Sequence, residues 1–428
     1  MIFVNYTNFI KKLMSDTKIR KILNDPVHGF ITIHSKLILG IVDHPYFQRL
    51  RRIKQLGLTH LVYPGALHTR FHHALGCMHL MQKAIDTLRL KGIKISEKES
   101  EAAQIAILLH DIGHGPFSHA LENTIVHNVS HEDLSLLFMD YLNSVYSGEL
   151  DVAIQIFTNK YPKKFLHQLV SSQLDVDRLD YLKRDSFYTG VSEGIISTDR
   201  IITMMNVFDD NLVVEEKGLY SVEKFIIARR LMYWQVYLHK TSLSAEMLMV
   251  HILQRAKDLA QKGVSLFCTD ALKHFLYQNY SLTDFTSSSE HLKLFAQLDD
   301  SDISISIKAW VNHSDKILSL LCKKLMSRNL NRIELTKEKT SKKRFLEMQN
   351  KIKKVYDLET KYLKYFIFTS SVENRAYDTS LPNINILKKN QKLIDITEAS
   401  DQHNISALAK PVAKHIFSYP KEINYVEK

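Results

Sequence analysis

The stretch "IAILLHDIGHGPFSH", residues 105–119, constrains this chain more than any other. Five apolar residues, Ile105 to Leu109, run straight into His110 and Asp111, and Gly113, Gly115 and Pro116 follow at once. Ser96 and Glu99 form a capping-box pair ahead of the run, so the pattern predicts a buried helix that opens near Ser96. An aspartate at the end of such a helix is costly unless its charge is compensated. The glycines and the proline break the helix and let the backbone approach whatever sits there. His114 follows His110 by four residues and would stack on the same face if the helix persisted that far. A divalent ion would stabilise Asp111 and a neutral His110 together. The bland alternative, a helix C-terminus with a polar cap, does not call for an aspartate and three histidines in ten residues.

Nine of the 21 histidines crowd between His68 and His131: His68, His72, His73, His79, His110, His114, His119, His127 and His131. Imidazole is the commonest metal ligand in proteins. A second ionisable segment, "QLDVDRLDYLKRDSFYTG" (173–190), holds Asp175, Asp177, Asp180 and Asp185 with Arg178, Lys183 and Arg184 between them. On a helix Asp177, Tyr181 and Arg184 share a face. Acid–base alternation of this kind is by itself a salt-bridged solvent face. Beside the upstream His-Asp pair it becomes a source of a further carboxylate ligand. Mixed imidazole and carboxylate ligation suits Mn, Fe, Mg, Zn, Co or Ni.

The 428 residues are enough for a sizeable core, and 45% hydrophobic content is a globular value. Net charge is +11, which favours polyanionic partners such as nucleotides or nucleic acid. Only three cysteines occur, Cys77, Cys268 and Cys322, with no C-x-x-C pair. That fits a reducing cytoplasm and rules thiolates out as the main ligands of a metal. The N-terminus lacks the order of a signal peptide, and no apolar stretch approaches a membrane span. Met14, followed by "SDTK", is the expected natural start.

"KILNDPVHGFITIHS" (21–35) reads as a short hairpin. From Lys36 the spacing is helical, through Leu37, Ile41, Val42, Phe47, Leu50 and Ile53, and again over 70–90. Helical patterning continues over 131–147, 164–188, 194–206, 221–262 and 269–278, interrupted by a β-hairpin over 208–221. Beyond about residue 265 a charge-rich helix is expected over 305–350, with strands over 362–371 and 384–389. The expected organisation is an N-terminal extension (1–20), a mostly helical core (21–265) and an α+β accessory region (266–428).

"NDPVHGFITIH", "RFHHALG", "LLHDIGHGPFSH", "SHEDLS" and "LDVDRLDYLKRDSFYTG", in this order, resemble the HD superfamily of metal-dependent phosphohydrolases. Within it they are similar to the deoxynucleoside triphosphate (dNTP) triphosphohydrolase branch, over about 21–259. The resemblance implies a mostly α fold: an HD-domain helical core with short β-hairpins and a C-terminal α+β region. It implies one divalent ion held by His73, His110, Asp111 and Asp177, and attack of water on the α-phosphorus of a dNTP. It places acid–base chemistry on His119, Glu122 and His131, with His131 protonating the departing 5′-oxygen, and sets His114 over the α-phosphate. Arg70, Arg178 and Arg229 would grip phosphates; in close relatives a lysine stands where Arg178 is. Tyr181, Asp185 and Tyr237 would face the sugar, and Gln55 its 3′-hydroxyl. Leu238 replaces a glutamine near the base, which leaves base preference open. Asn24, Asp43 and Arg51 match an activating-nucleotide site at a subunit interface, but Phe30 replaces its histidine. The sterile alpha motif that precedes the HD domain in the vertebrate enzyme is not expected here. A dimer or tetramer follows from the resemblance.

Two other readings stay open. The same site could act on a nucleoside monophosphate, a cyclic nucleotide or an alarmone, although three arginines favour a triphosphate. The chain could also be a non-enzymatic HD protein that binds nucleotide or nucleic acid. Its basic segment 323–365 suits a polyanion, yet lacks the interleaved aromatics of single-strand binders and reads first as a solvated helix face.

Overall fold

A computed structural model describes residues 20–117, 124, 126, 129–378, 382–401 and 410–425. His119, Glu122 and the expected start at Met14 lie outside the described residues. The chain opens with the expected antiparallel hairpin, β1 (Lys21–Asp25) and β2 (Gly29–Ile33). The Asp25 carboxylate closes its turn by accepting from the backbone of Val27 at 2.9 Å and His28 at 2.8 Å. Gly29 takes a left-handed φ of +76° there, which a side chain would strain.

Helix α1 (Lys36–Asp43) is capped by Ser35. Helices α2 (Arg70–Leu90) and α3 (Glu97–Leu109) pack against each other, and the Ser96–Glu99 capping box starts α3 as expected. Helix α4 (His131–Val145) begins on a second capping box, Ser130 and Asp133. Two short helices, Asp151–Phe157 and Lys164–Val170, lead to α5 (Val176–Thr189), which packs on α2. Helix α5 starts on Asp175 and stops at Gly190, whose φ is +73°. A second hairpin, β3 (Met205–Phe208) and β4 (Asn211–Glu215), precedes α6 (Leu219–Met232). A π-helical turn over Tyr233–Tyr237 then leads into α7 (Lys240–Ala260).

Several expected helices are shorter or divided. The helix expected over 164–188 breaks at 171–175, because Asp175 draws back the Ser172 backbone and caps α5. The helix expected over 194–206 spans only Thr198–Met204, and the hairpin begins at Met205 rather than 208. The helix expected over 221–262 is interrupted between α6 and α7. The single helix expected over 305–350 is three helices and a strand: Asp300–Trp310, Lys316–Met326, β5 (Arg332–Thr336) and Lys342–Tyr356. Asp315 starts the second of these by accepting from Leu318 N, and Arg328 at φ +55° follows its end.

The C-terminal region is α+β. Strand β9 (Val412–Tyr419) pairs with both β5 and β6 (Phe368–Asn374), while 360–365 is a 3-10 turn rather than strand. Strand β7 (Asn385–Leu387) adds in parallel to β4, and β8 (Leu393–Asp395) completes a four-stranded sheet. One buried apolar cluster runs from Ile31 to Ile423, so the late strands share the core of the early helices. No helix among the described residues is long and apolar enough to cross a membrane.

Candidate metal and nucleotide site

The start of α2, the end of α3 and the start of α5 converge. His73 lies in the second turn of α2, His110 caps the end of α3 with Asp111 next, and Asp177 lies in the first turn of α5. The Asp177 Oδ1 atom is 3.0 Å from His73 Nε2 and 3.5 Å from His110 Nε2. The Asp111 carboxylate is 3.4 Å from His110 Nε2 and 3.8 Å from His73 Nε2. Donor atoms about 2.1 Å from a shared ion stand roughly 3.0–3.4 Å from one another. The His73, His110 and Asp177 atoms are therefore spaced much as ligands are, while Asp111 borders them through both oxygens, Oδ1 toward His110 and Oδ2 toward His73.

Hydrogen bonding aims both imidazoles. His110 Nδ1 is 2.6 Å from the Ile107 carbonyl, and His73 Nδ1 is 2.8 Å from Asp180 Oδ2. Both are acceptors, so each Nδ1 carries a proton and each Nε2 is aimed at the carboxylates. His110 Nε2 is buried and makes no hydrogen bond. Burial raises the Asp177 carboxyl, but His110 and His73 outweigh it and hold the group below its ordinary range. Asp111 is likewise held low, against burial, by His110, His114 and Arg70. Two carboxylates and two imidazole Nε2 atoms brought this close form a donor set that fits a hard or borderline divalent ion.

Helix α3 ends before His114, because Ile112 N and His114 N close tight turns onto Leu109 O and Asp111 O. His114 therefore does not stack on His110. It lies on His131, ring centroids 3.8 Å apart, with Nε2 3.3 Å from Asp111 Oδ1. His72 faces away from the quartet; it bonds back to Thr69 and caps α2.

A cavity of about 770 Å³ opens over this cluster. Asp111, Asp177, His114, His131, Arg70, Arg178, Arg229, Gln55, Tyr181, Asp185 and Tyr237 all line it. Arg70 Nη1 donates to Asp111 Oδ2 at 2.5 Å. Arg178 is paired with Asp175, the residue that caps its own helix, and Arg229 donates to the Ala376 carbonyl at 3.3 Å. Tyr237 donates to Asp185 Oδ2 at 2.8 Å, and Asp185 Oδ1 is 2.8 Å from His68 Nε2. Away from the cavity, Asn24 pairs with Phe30 in the hairpin, and Arg51 lies 3.6 Å above the Phe71 ring. Phe30 itself is exposed.

Sequence reasoning missed two sets of residues. One is a buried network of Asp25, His28, Asp180 and Arg184 on the Nδ1 side of His73. The other is Ser242, Glu246 and Met249, which follow one face of α7 into the cavity. Their i, i+4, i+7 spacing was a readable signal, but nothing tied it to the histidines.

A family model described as "HD domain" matches residues 70–185, and one described as "HD associated region" matches 196–268. The uncharacterized protein YwfO of Bacillus subtilis is 34% identical, over 94% of this chain and 93% of its own length. The crystal structure of a phosphohydrolase from Bacteroides thetaiotaomicron superposes with a TM-score of 0.91 at 52% identity, covering 94% of this chain and 100% of that one. A deoxynucleoside triphosphate triphosphohydrolase SAMHD1 homolog of Dictyostelium discoideum is 31% identical over 71% of this chain, which spans 55% of that relative's length.

Proposed function

The chain belongs to the HD-domain phosphohydrolases, and on that premise we propose that it hydrolyses deoxynucleoside triphosphates to deoxynucleoside and inorganic triphosphate. The observation that carries the reading is one cavity in which Asp111 and Asp177, backed by His73 and His110, meet three arginines and a tyrosine-lined wall. The Dictyostelium relative's activity supports it.

Those four residues would hold a divalent ion, which polarises a phosphoryl oxygen and activates water. Arg70, Arg178 and Arg229 bind the phosphate chain, with planar forks matched to phosphate oxygens. His114 donates toward the α-phosphate. Water attacks the α-phosphorus, the bond from phosphorus to the 5′-oxygen breaks, and His131 supplies the proton to that oxygen. The roles proposed for His119 and Glu122, a coupled acid–base pair, rest on the motif alone. Tyr181, Tyr237 and Asp185 pack the sugar, leaving no room for a 2′-hydroxyl, and Gln55 meets the 3′-hydroxyl. A homo-oligomer, dimer or tetramer, with an activating nucleotide near Asn24, Asp43 and Arg51, completes the proposal. The three unpaired cysteines suit a cytoplasmic location.

The test is product analysis. Purified protein with Mn²⁺ or Mg²⁺ and each dNTP, with and without dGTP or GTP, should release deoxynucleoside and triphosphate. Monophosphate and pyrophosphate would move the function elsewhere, and no turnover under any condition would favour a binding protein. His110→Ala and Asp111→Ala should each remove activity while the fold survives.

A further inference from the structure

Asp180 is fully buried, yet four donors reach its carboxylate. Its Oδ1 lies 2.7 Å from His28 Nε2 and accepts from Arg184 Nη2 at 2.9 Å. Its Oδ2 accepts from Arg184 Nε at 2.8 Å and lies 2.8 Å from His73 Nδ1. These contacts fill the acceptor capacity of a carboxylate. Arg184 is also fully buried, and its Nη1 donates to Asp25 at 2.8 Å. Asp25 in turn shapes the β1–β2 turn through the backbone of Val27 and His28. A continuous chain of polar contacts therefore runs from the hairpin turn through Arg184 and Asp180 to His73.

We propose that Asp180 is the positioning residue of the metal site. It keeps the proton on His73 Nδ1 and fixes the ring, so that the Nε2 lone pair faces Asp111 and Asp177. The hairpin turn, through His28 and Arg184, fixes Asp180 in its turn. This rests on reading His73, His110, Asp111 and Asp177 as metal ligands. Charge balance alone does not account for the arrangement, because Arg184 already has Asp25, and a counter-ion for Arg184 would not need to meet His73 as well. The packing is specific: Gly76 lies where an added Cβ would come within 2.0 Å of Asp180 Oδ1 and 2.2 Å of Arg184 Nη2. A residue one turn beyond His73 thus lacks a side chain where the network presses against α2.

The experiment is Mn²⁺ binding by calorimetry on the metal-stripped full-length chain, with the visible spectrum of the Co²⁺-loaded protein as a second readout. Asp180→Asn keeps the shape but cannot accept from all four donors. It should weaken Mn²⁺ binding by about 10–100-fold and alter the Co²⁺ bands. Trp310→Phe, which loses the Trp310 bond to the Phe267 carbonyl and none of the network's bonds, is the control for destabilisation and should bind Mn²⁺ as the wild type does. A folded Asp180→Asn protein that binds Mn²⁺ within twofold of the wild type, with unchanged Co²⁺ bands, overturns the proposal and leaves the metal reading intact. Should Asp180→Asn fail to fold, His28→Ala, which leaves Arg184 both of its carboxylates, decides. Weakening of about threefold or more supports the proposal, and binding equal to the wild type overturns it. A wild type that takes up neither ion overturns the metal reading itself, and this one with it.

Discussion

His114 and His131 lie face to face, their rings 3.8 Å apart and 16° from parallel. One comes from the turn after α3, the other from the first residue of α4. Ser135 clamps the two elements, accepting from Gly113 N at 2.9 Å and donating to His110 O at 2.7 Å. Burial, and then the nearby Arg70 charge, push His114 down to about 3, so it is neutral at any ordinary assay pH. His114 can donate a hydrogen bond or support its neighbour, but it is not a group that titrates during turnover.

The two rings should therefore behave differently. His114→Phe keeps a flat ring against His131; we expect kcat to fall about 10–100-fold with the limbs of the pH–rate profile in place. His131→Phe removes the proposed acid, and the expected loss is about 10²–10⁴-fold. Profiles of kcat/KM for both variants decide it; a limb that moves in His114→Phe would contradict the assignment.

Gly76 makes a stability prediction of unusual sign. At an exposed helix interior, glycine to alanine stabilises by about 1 kcal/mol. Here the new Cβ would fall 2.8 Å from Asp180 Cγ, and closer still to Asp180 Oδ1 and Arg184 Nη2. Neither side chain has a flexible end to move away, since both are held by the bonds described above. Gly76→Ala should cost about 3 kcal/mol or more, read as a lower denaturant midpoint. A neutral or stabilised variant would mean that the network is far more yielding than its bond lengths imply.

What was legible at the sequence level was mostly local. The Ser96–Glu99 box, the apolar run into His110 and Asp111, and Asp177 after an N-cap aspartate are readable because each is written within one helical turn. The choice of His73 over His72 is explained locally as well, since His72 is spent on capping α2. Asp180 was visible only as one more charge in an alternating helix. Its burial depends on Gly76, Asp25 and His28, which are distant in the chain, and no pattern in 173–190 reports them. The breaks at 171–175 and 311–315 were missed because an aspartate that caps a new helix can also pass for a polar residue on an old one. The attachment of β7 to β4 is a tertiary event between segments some 170 residues apart, outside the reach of periodicity.

Tyr237 should govern sugar selection. Its hydroxyl is held by Asp185, Asp185 by His68, and His68 stacks on Tyr188 with ring centroids 4.4 Å apart. A wall braced in this way yields little to a 2′-hydroxyl. Tyr237→Ala should reduce the preference for dATP over ATP, measured as the ratio of kcat/KM, at least tenfold, about 1.4 kcal/mol of discrimination. Tyr237→Phe keeps the ring and loses only the brace, so a smaller reduction is expected. Unchanged ratios in both variants would place sugar recognition elsewhere.

His251 on α7 is buried, with Tyr365 and Phe368 edge-on to its ring at centroid distances of 6.3 and 5.2 Å. Burial pushes its pKa down to about 4 from an ordinary 6.5. The unfolded chain therefore binds the proton more readily than the folded one. The neutral imidazole does no harm above pH 6.5, and stability is lost progressively as pH falls from there toward 4. The shift corresponds to about 3 kcal/mol at the bottom of that window. His251→Phe keeps an aromatic ring in the same packing and cannot take up the proton. Urea unfolding at pH 7.5 and at pH 4.5 should show the variant losing about 2–3 kcal/mol less than the wild type between the two. Equal losses would show that the His251 ring takes up its proton in the folded state as easily as in the unfolded chain.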